Sequence, residues 1–531
     1  MARHSGTPPP FPRHTNKAML YRALLLALAT AHAWNDCAFP DVGYFALDEG
    51  VGISHNYASA AMNGNVYMGG YTKGNFALVG VTDGPDVNPE PAAALWGDTT
   101  SDVVVRMAPR TLLNLHALPL TTRDLFSALA HLNRQSIYLA EVSTTGKMTK
   151  SWRFQGSALQ VSTVSISDIN GVYAGGVRAM LNKQHLAVAA HFRQEFTLPD
   201  GTIWSSALHT DGSNRLNTDD HTPFVMKLDV SSTNGVGTGT TGWARVMDED
   251  HLGVTIHPGG VSIRSVDGDA NGDMIVSYTG YSGYNATSGE KTGGVHYLTK
   301  LGGDGAEMWK KVVPEGLSNC RAISDGHFFC GYTMSSSDSA VDFDNGVVVP
   351  AAPADMGSKD KEAVVVKFDG LGVAQWAKQS SSHDKSFSRM AVSADGTVLV
   401  LTSGGVTSRM DTLPGTEGAI MWTDRNAGAG GHSGYRGLEM TGDGTEVVVH
   451  GSVSGSGAVK LVDSANSEIE LRTRGSMEVF VAAFDGTTGQ GKWAVDGGGT
   501  GMEYMFSMAV DPDTHDVYVG GTSRCDRASC T

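Results

Sequence analysis

An all-β fold is what this sequence predicts: a β-propeller of seven four-stranded blades, with six or eight as the neighbouring counts. Three observations carry it. Gly supplies 67 of 531 residues without collagen or linker periodicity, a usage that accompanies many tight turns. A two-strand hairpin signature recurs seven times along the chain. Between its copies a second signature recurs: an apolar strand, a turn and then a tryptophan.

The hairpin signature reads MNGNVYMGG (62–70), INGVYAGG (169–176), ANGDMIVSYTG (270–280) and SDGHFFCG (324–331). It returns as ADGTVLVLTSG (394–404), GDGTEVVVHG (442–451) and PDTHDVYVGG (512–521). Six copies place Asn-Gly or Asp-Gly before a β-branched or aromatic run. The glycine supplies the positive φ that a two-residue hairpin turn needs.

The second signature reads PFVMKLDV with Trp243 beyond it, and HYLTKLGGDGAEMW ending at Trp309. AVVVKFDGLGVAQW ends at Trp376 and VFVAAFDGTTGQGKW at Trp493. GAIMWTDRN (418–426) and SIYLAEVSTTGKMTKSW (136–152) are weaker copies. Hairpin plus strand-turn-strand makes four antiparallel strands. A sheet with two apolar faces must be covered on both, and radial stacking of such sheets covers them all.

After the last hairpin only RCDRASCT remains, so the seventh unit lacks its outer half. An open sheet edge is costly. VGYFALDEGVG (42–52) has the character of a third strand, and residues 43–49 are expected to pair with 516–521 and close the ring. That would bring Cys37 near Cys525 and Cys530, either of which could bond it. Cys320 and Cys330 flank the SDGH turn, so their sulfurs are expected to be adjacent and within reach of a disulfide.

These motifs together (NGNVYMGGYT, DFDNGVVV at 342–349, VVVKFDGLGVAQW and VFVAAFDGTTGQGKW) resemble the β-propeller repeat of secreted, often bacterial, proteins predicted to be seven-bladed. The resemblance spans about 60 to 531. It implies a fold and little about function, because folds host sites rather than dictate them. Region 95–155 departs from the pattern, since VVVRMAPRTLLNL and SIYLAEVS have no clear hairpin between them. AFDGTTGQGKW (483–493) is also similar to the tryptophan-docking motif of quinoprotein dehydrogenases, in which the tryptophan locks neighbouring blades together. The adjacent cysteine pair those enzymes stack on their quinone is missing from the sequence.

At the N-terminus Arg13, Lys17 and Arg22 flank a short apolar run from Ala23 to Ala31, and AHA supplies the small-x-small pattern of a signal peptidase site. Residues 1–33 read as a signal peptide cleaved after Ala33, with Met19 as an alternative start. Residues 34–531 then form a single propeller domain in an extracellular, disulfide-permissive setting. Beyond the leader no apolar run approaches the length of a membrane span. The net charge of −16 becomes −20 once four leader cations are removed. That balance disfavours nucleic acid or an anionic membrane as partner. The five cysteines contain no C-x-x-C metal pair.

Several residues are candidates for chemistry. Asp267, Asp269, Asn271 and Asp273 alternate around Gly272 like the first half of a calcium loop. Tyr278 stands where the closing glutamate would be, and a turn-rich hairpin explains the same pattern. Calcium is the one cofactor this spacing suggests. Arg264, Arg321, Arg389 and Arg436 each fall just upstream of a hairpin turn, on the predicted innermost strands. They would suit an anionic ligand in a central channel, or else pair with acidic neighbours. Asn285 in YNATSG is an N-glycosylation acceptor in a eukaryotic secretory pathway. No residue is assigned a catalytic role.

The expected function is a secreted binding or interaction module for an extracellular glycan or protein. Its ligand would be met by insertions at 73–100, 178–222 and 281–295, since loops on a rigid scaffold carry function. The alternatives are a propeller enzyme, carbohydrate-active or quinoprotein-like, and a structural surface or matrix protein.

Overall fold

The computed structural model describes residues 23–28, 44–48, 54–73, 77–81, 135–143, 148–156, 176–192, 195–197, 203–205, 222–230, 241–247, 262–285, 290–335, 338–351, 361–380, 387–403, 406–425, 434–454, 458–462, 468–472, 477–497 and 502–524. Among them are six four-stranded antiparallel blades followed by one further hairpin. Strands are named inner, second, third and outer from the axis. Blade 1 is Ser54–Met62, Asn65–Lys73, Gln135–Ser143 and Met148–Gly156. Blade 2 is Val177–Ala179, His185–Phe192, Thr222–Asp229 and Thr241–Val246. Blade 3 is Ser262–Gly268, Met274–Asn285, Glu290–Leu301 and Glu307–Val313. Blade 4 is Ser318–Ala322, Phe328–Ser335, Lys361–Phe368 and Ala374–Gln379. Blade 5 is Phe387–Val392, Leu399–Ser403, Val406–Met410 and Ile420–Arg425. Blade 6 is Gly434–Met440, Glu446–Ser454, Met477–Asp485 and Gly491–Gly497.

The closing hairpin is Met502–Val510 with Val517–Arg524. Its inner strand touches those of blade 6 and blade 1, so seven inner strands surround one axis. Ser59 and Ser507 join hydroxyls across the final seam at 2.8 Å, and the Gly64 amide donates to Asp511 Oδ2. Six of the seven expected hairpins therefore occupy equivalent places in the ring. Residues 169–175 lie outside the described residues. The inner hairpin of blade 2 instead turns at 180–184, with Lys183 at φ 56°. The expected insertion 178–222 is thereby corrected, because its first part is that hairpin and the actual insertion is 193–221.

The expected closure is corrected as well. Ala23–Leu28, not 43–49, pairs with the last strand, running parallel from Ala23↔Val517 to Leu28↔Thr522. Tyr44–Asp48 lies in the same sheet one strand further out, pairing with Ala23–Leu28 and with Ala77–Val81. The physical reason is the open edge itself, which accepts the unbroken apolar run ALLLAL as its next strand. Cys37, Cys525 and Cys530 lie outside the described residues.

The core is a set of slabs between blades. Second and third strands such as AVVVKF are apolar on both faces because each face meets a neighbour. Val364 and Val366 pack toward blade 3, whereas Ala363 and Val365 pack toward blade 5. The same alternation divides Val447 and Val449 from Val448 in blade 6.

Tryptophans pin these slabs at their rims. Trp243, Trp309 and Trp422 each donate Nε1–H to a carbonyl in the third-to-outer turn of the next blade: Gly303 at 3.0 Å, Gly370 at 3.0 Å and Gly486 at 3.2 Å. Each ring lies on a glycine of positive φ. A Cβ at Gly305, Gly372 or Gly489 would come within 2.7, 2.8 or 2.6 Å of it. Tryptophan docking thus operates at three seams, through Trp243, Trp309 and Trp422 and not through the Trp493 of the motif copy at 483–493. Between blades 4 and 5 the longer turn 411–419 instead brings Gly418 over the Lys378 stem. Trp309→Phe is expected to keep the stacking on Phe328 (centroids 6.1 Å apart) and lose the Gly370 bond. Urea unfolding should show a loss of about 1 kcal/mol.

Aspartates organise the turns by accepting backbone N–H bonds two or more residues ahead, as Asp325, Asp369, Asp395, Asp443 and Asp485 do. Burial pushes Asp395, Asp443 and Asp485 up, but donors from Ser393, Thr397, Thr441, Thr445, Thr487 and Thr488 outweigh it and hold them below the ordinary aspartate range. A carboxyl whose folded pKa is depressed contributes stability above its unfolded pKa and loses it as pH falls through the folded value. Thermal unfolding midpoints are therefore expected to decline between about pH 5 and about pH 2.

Cys320 and Cys330 are bonded, with Cα atoms 4.0 Å apart and both side chains buried. Cys320 sits in the bulge between Ser318 and Arg321, opposite Cys330. Replacing both by Ala is expected to cost about 2–3 kcal/mol in the chain-entropy model for so short a loop. Non-reducing peptide mapping should recover the linked 320–330 pair.

Candidate functional site: a charged channel lined by the inner strands

The inner strands converge on a cavity lined by Ser59, Arg178, Arg321, Arg389, Glu439 and His450, together with Gly437, Leu438, Ser507 and Met508. Its empty space comes to about 310 Å³ only when the adjoining open solvent is counted. These residues come from five blades and the closing hairpin, so only the closed ring assembles them.

Position in the hairpin explains the set. Arg178, Asp267, Arg321 and Glu439 each stand two residues before the first residue of the inner turn. Ser59, Ser265, Asn319, Arg389, Gly437 and Ser507 stand two residues earlier. In five blades and the closing hairpin a bulge lies at this level, which re-aims side chains at the end of an inner strand.

Arg178 and Glu439 form a two-pronged ion pair from opposite sides of the channel, the second prong being 3.1 Å. Burial alone would lower the Arg178 pKa, but the charges of Glu439 and Asp267 and the Glu439 bonds raise it above its ordinary value. Asp267 accepts from the Gly268 and Ala322 amides at 3.0 Å each. Burial pushes its pKa up against the opposing charges of Arg178 and Arg321.

Arg321 is 5% exposed and donates to the Cys320 carbonyl at 3.1 Å. Its Nε–H is buried and has no partner among the described residues. Burial, reinforced by the Arg178 charge and opposed by the charges of Glu439 and Asp267, brings its pKa down to about 10. Gly437 is a further departure from its neighbours. A Cβ there would fall 2.1 Å from His450 Nε2, so glycine is what lets the second-strand imidazole reach the cavity.

Of the four arginines expected in the channel, Arg321 and Arg389 line the cavity. Arg264 lies nearer the other end of its strand, donating Nε–H to Thr279 Oγ1 at 3.1 Å. Burial lowers the Arg264 pKa, partly opposed by Glu315. Arg436 belongs to the inner strand of blade 6, and its side chain lies outside the described residues. The sequence reading missed Arg178. The signal was present: VRAMLNKQHLAV places an arginine before its turn as CRAISDGHFF does.

The aspartate-rich turn is not a single site. Asp267 faces the channel and is held by backbone amides. Asp269 and Asp273 accept from the Lys300 ammonium at 3.0 and 3.1 Å, and Asp269 also caps the Asn271 and Asp273 amides. Among the described residues no three metal-capable side chains converge. Asn285 ends the second strand of blade 3, paired with Glu290.

No family model matches this chain, and no curated protein matches it. Solved structures do. The C-terminal WD40 domain of Sif2 aligns over 90% of this chain and 95% of its own, at 11% identity and TM-score 0.38. The β-propeller domain of Cps50 (Swd1) from Myceliophteria thermophila aligns over 72% and 87%, at 6% identity and TM-score 0.35. A protein of unknown function from Bacteroides caccae aligns over 51% and 89%, at 8% identity and TM-score 0.26.

Proposed function

We propose that this chain is a secreted binding module that takes an extracellular glycan or protein on one face of its propeller. One observation carries the reading: the two faces of the ring are built differently. On one face the inner-to-second turns never exceed six residues. At the other face, four second-to-third connections are long, covering 74–134, 193–221, 336–360 and 455–476. Because all second strands run the same way, these insertions leave and re-enter the ring on a single side. Some carry strands of their own, as in the hairpins Val341–Asp342 with Val348–Val349 and Ala458–Val462 with Glu468–Arg472. A rigid scaffold with variable segments gathered on one face is the usual construction of a recognition surface. The leader-like residues 1–33 and the resemblance to secreted propeller repeats support secretion. Cleavage after Ala33 would take Ala23–Leu28 from the edge of the last strand and leave Tyr44–Asp48 with Ala77–Val81 as the strands available to cover it.

The test replaces 455–476 by a short Gly-Ser turn and compares both proteins on glycan and protein arrays. Circular dichroism should still show the folded ring, its midpoint lowered by the loss of Leu471 from the blade core, while array binding is lost. Unchanged binding after the same replacement of 193–221 and 336–360 would remove the insertion face as the site. Protein recovered from medium should begin at Trp34, and an intact Met1 would remove the cleaved leader.

A further inference from the structure

We propose that the channel cavity is a second, separate binding site, which takes a small organic carboxylate on the Arg321 guanidinium. It does not depend on what the insertion face binds.

Three arginines and one glutamate line the cavity, with Asp267 beside them, which leaves one cation in excess within a chain whose net charge is −16. A local concentration of cations in an acidic protein focuses field on the cavity and draws small anions into it. Burying a guanidinium is costly unless its donors and its charge are answered. Arg178 is answered by Glu439, whereas Arg321 spends one donor on the Cys320 carbonyl and leaves Nε–H without a partner among the described residues.

The ligand class follows from the fork. Guanidinium donors lie in one plane and match the two oxygens of a carboxylate. The cavity already contains that arrangement once, in the Arg178–Glu439 pair. A ligand carboxylate at Arg321 would repeat it and would also screen the repulsion between Arg321 and Arg178. Ser59 and Ser507, bonded to each other at 2.8 Å, leave one hydroxyl proton and spare lone pairs for a ligand. The cavity is narrow and partly open, with room for the carboxylate end of a small acid and not for a polymer chain. The bare Cα of Gly437 lets the His450 ring form part of the cavity wall.

Isothermal titration of the full chain with malonate tests the site, with acetate, sulfate, phosphate and chloride as the other probes. Saturable malonate binding is expected. Arg321→Met should weaken it about tenfold or more, the loss of a charge-assisted bidentate contact. Glu439→Gln should tighten it several-fold by removing the internal competitor for Arg178. Absence of malonate binding overturns the proposal, as does equal binding by Arg321→Met. Binding of sulfate or phosphate with malonate rejected overturns the carboxylate assignment. Should circular dichroism show that Arg321→Met is unfolded, Arg321→Lys, which keeps the charge and loses the planar fork, decides, and an affinity equal to that of the unaltered protein counts against the site.

Discussion

Glu439→Ala is expected to destabilise the protein by about 2–3 kcal/mol, below the range for a fully buried pair because both side chains keep some exposure. Arg178 would keep its charge, with Arg321 as a like-charged neighbour and its bidentate acceptor gone. The pair joins blade 2 to blade 6 across the axis, so the loss is felt by the ring rather than by one blade. Replacing both members with apolar residues of similar size, Arg178→Met with Glu439→Leu, should recover much of the loss, because neither charge is then stranded. Denaturant unfolding of the single and double variants measures both effects. A single variant within about 0.5 kcal/mol of the unaltered protein would mean that the pair is solvated and contributes as a surface bridge does.

Gly486→Ala is expected to cost about 3 kcal/mol or more, at the upper end of overpacking effects. Its Cβ would fall 1.9 Å from the Gly444 carbonyl, a backbone atom that cannot swing aside. The same residue donates its amide to Thr445 O, and its carbonyl receives Trp422 Nε1 and Arg409 NH1. Displacing it disturbs the stacking of two turns in blade 6 and the docking of blade 5 together. Gly326→Ala is the control: φ is +83° but nothing lies within 4 Å of the new methyl. There only the left-handed backbone penalty applies, about 1–2 kcal/mol. Gly486 has no positive φ, so a loss there no larger than that at Gly326 would show that the close approach relaxes at little cost.

Those close approaches are also why so much of the ring was legible in the sequence. Asp-Gly and Asn-Gly before apolar runs report a turn whose glycine is demanded by φ, and such turns fell where expected at 62–70, 270–280, 324–331, 394–404 and 442–451. Blade 2 escaped because its turn puts Lys183, not glycine, at positive φ, while INGVYAGG just upstream imitates the signature. The same miss hid Arg178, and with it the partner of Glu439. Channel contacts are harder still to read. Arg178 and Glu439 are 261 residues apart, and their meeting depends on how many blades separate them around the ring, which no local pattern encodes. The aspartates of 267–273 show the opposite limit. Their spacing is that of a turn and of a cation loop alike, and only the position of Lys300, on another strand, separates the two readings.

The tryptophan pins give the ring a direction in time. Trp243, Trp309 and Trp422 all reach forward to a turn that lies later in the chain, 60 to 64 residues on. During synthesis, then, each of these blades waits for its successor before its outer strand is secured, and order spreads from the N-terminal side as chain emerges. The last seam is of another kind, since Ser59 meets Ser507 across 448 residues of sequence. Contacts of that separation form slowly because the loop-closure entropy is lost before they contribute. A nearly complete arc, ordered but still open at blade 1, is therefore the intermediate expected to accumulate during refolding, with its first inner strand as the edge most exposed to mispairing.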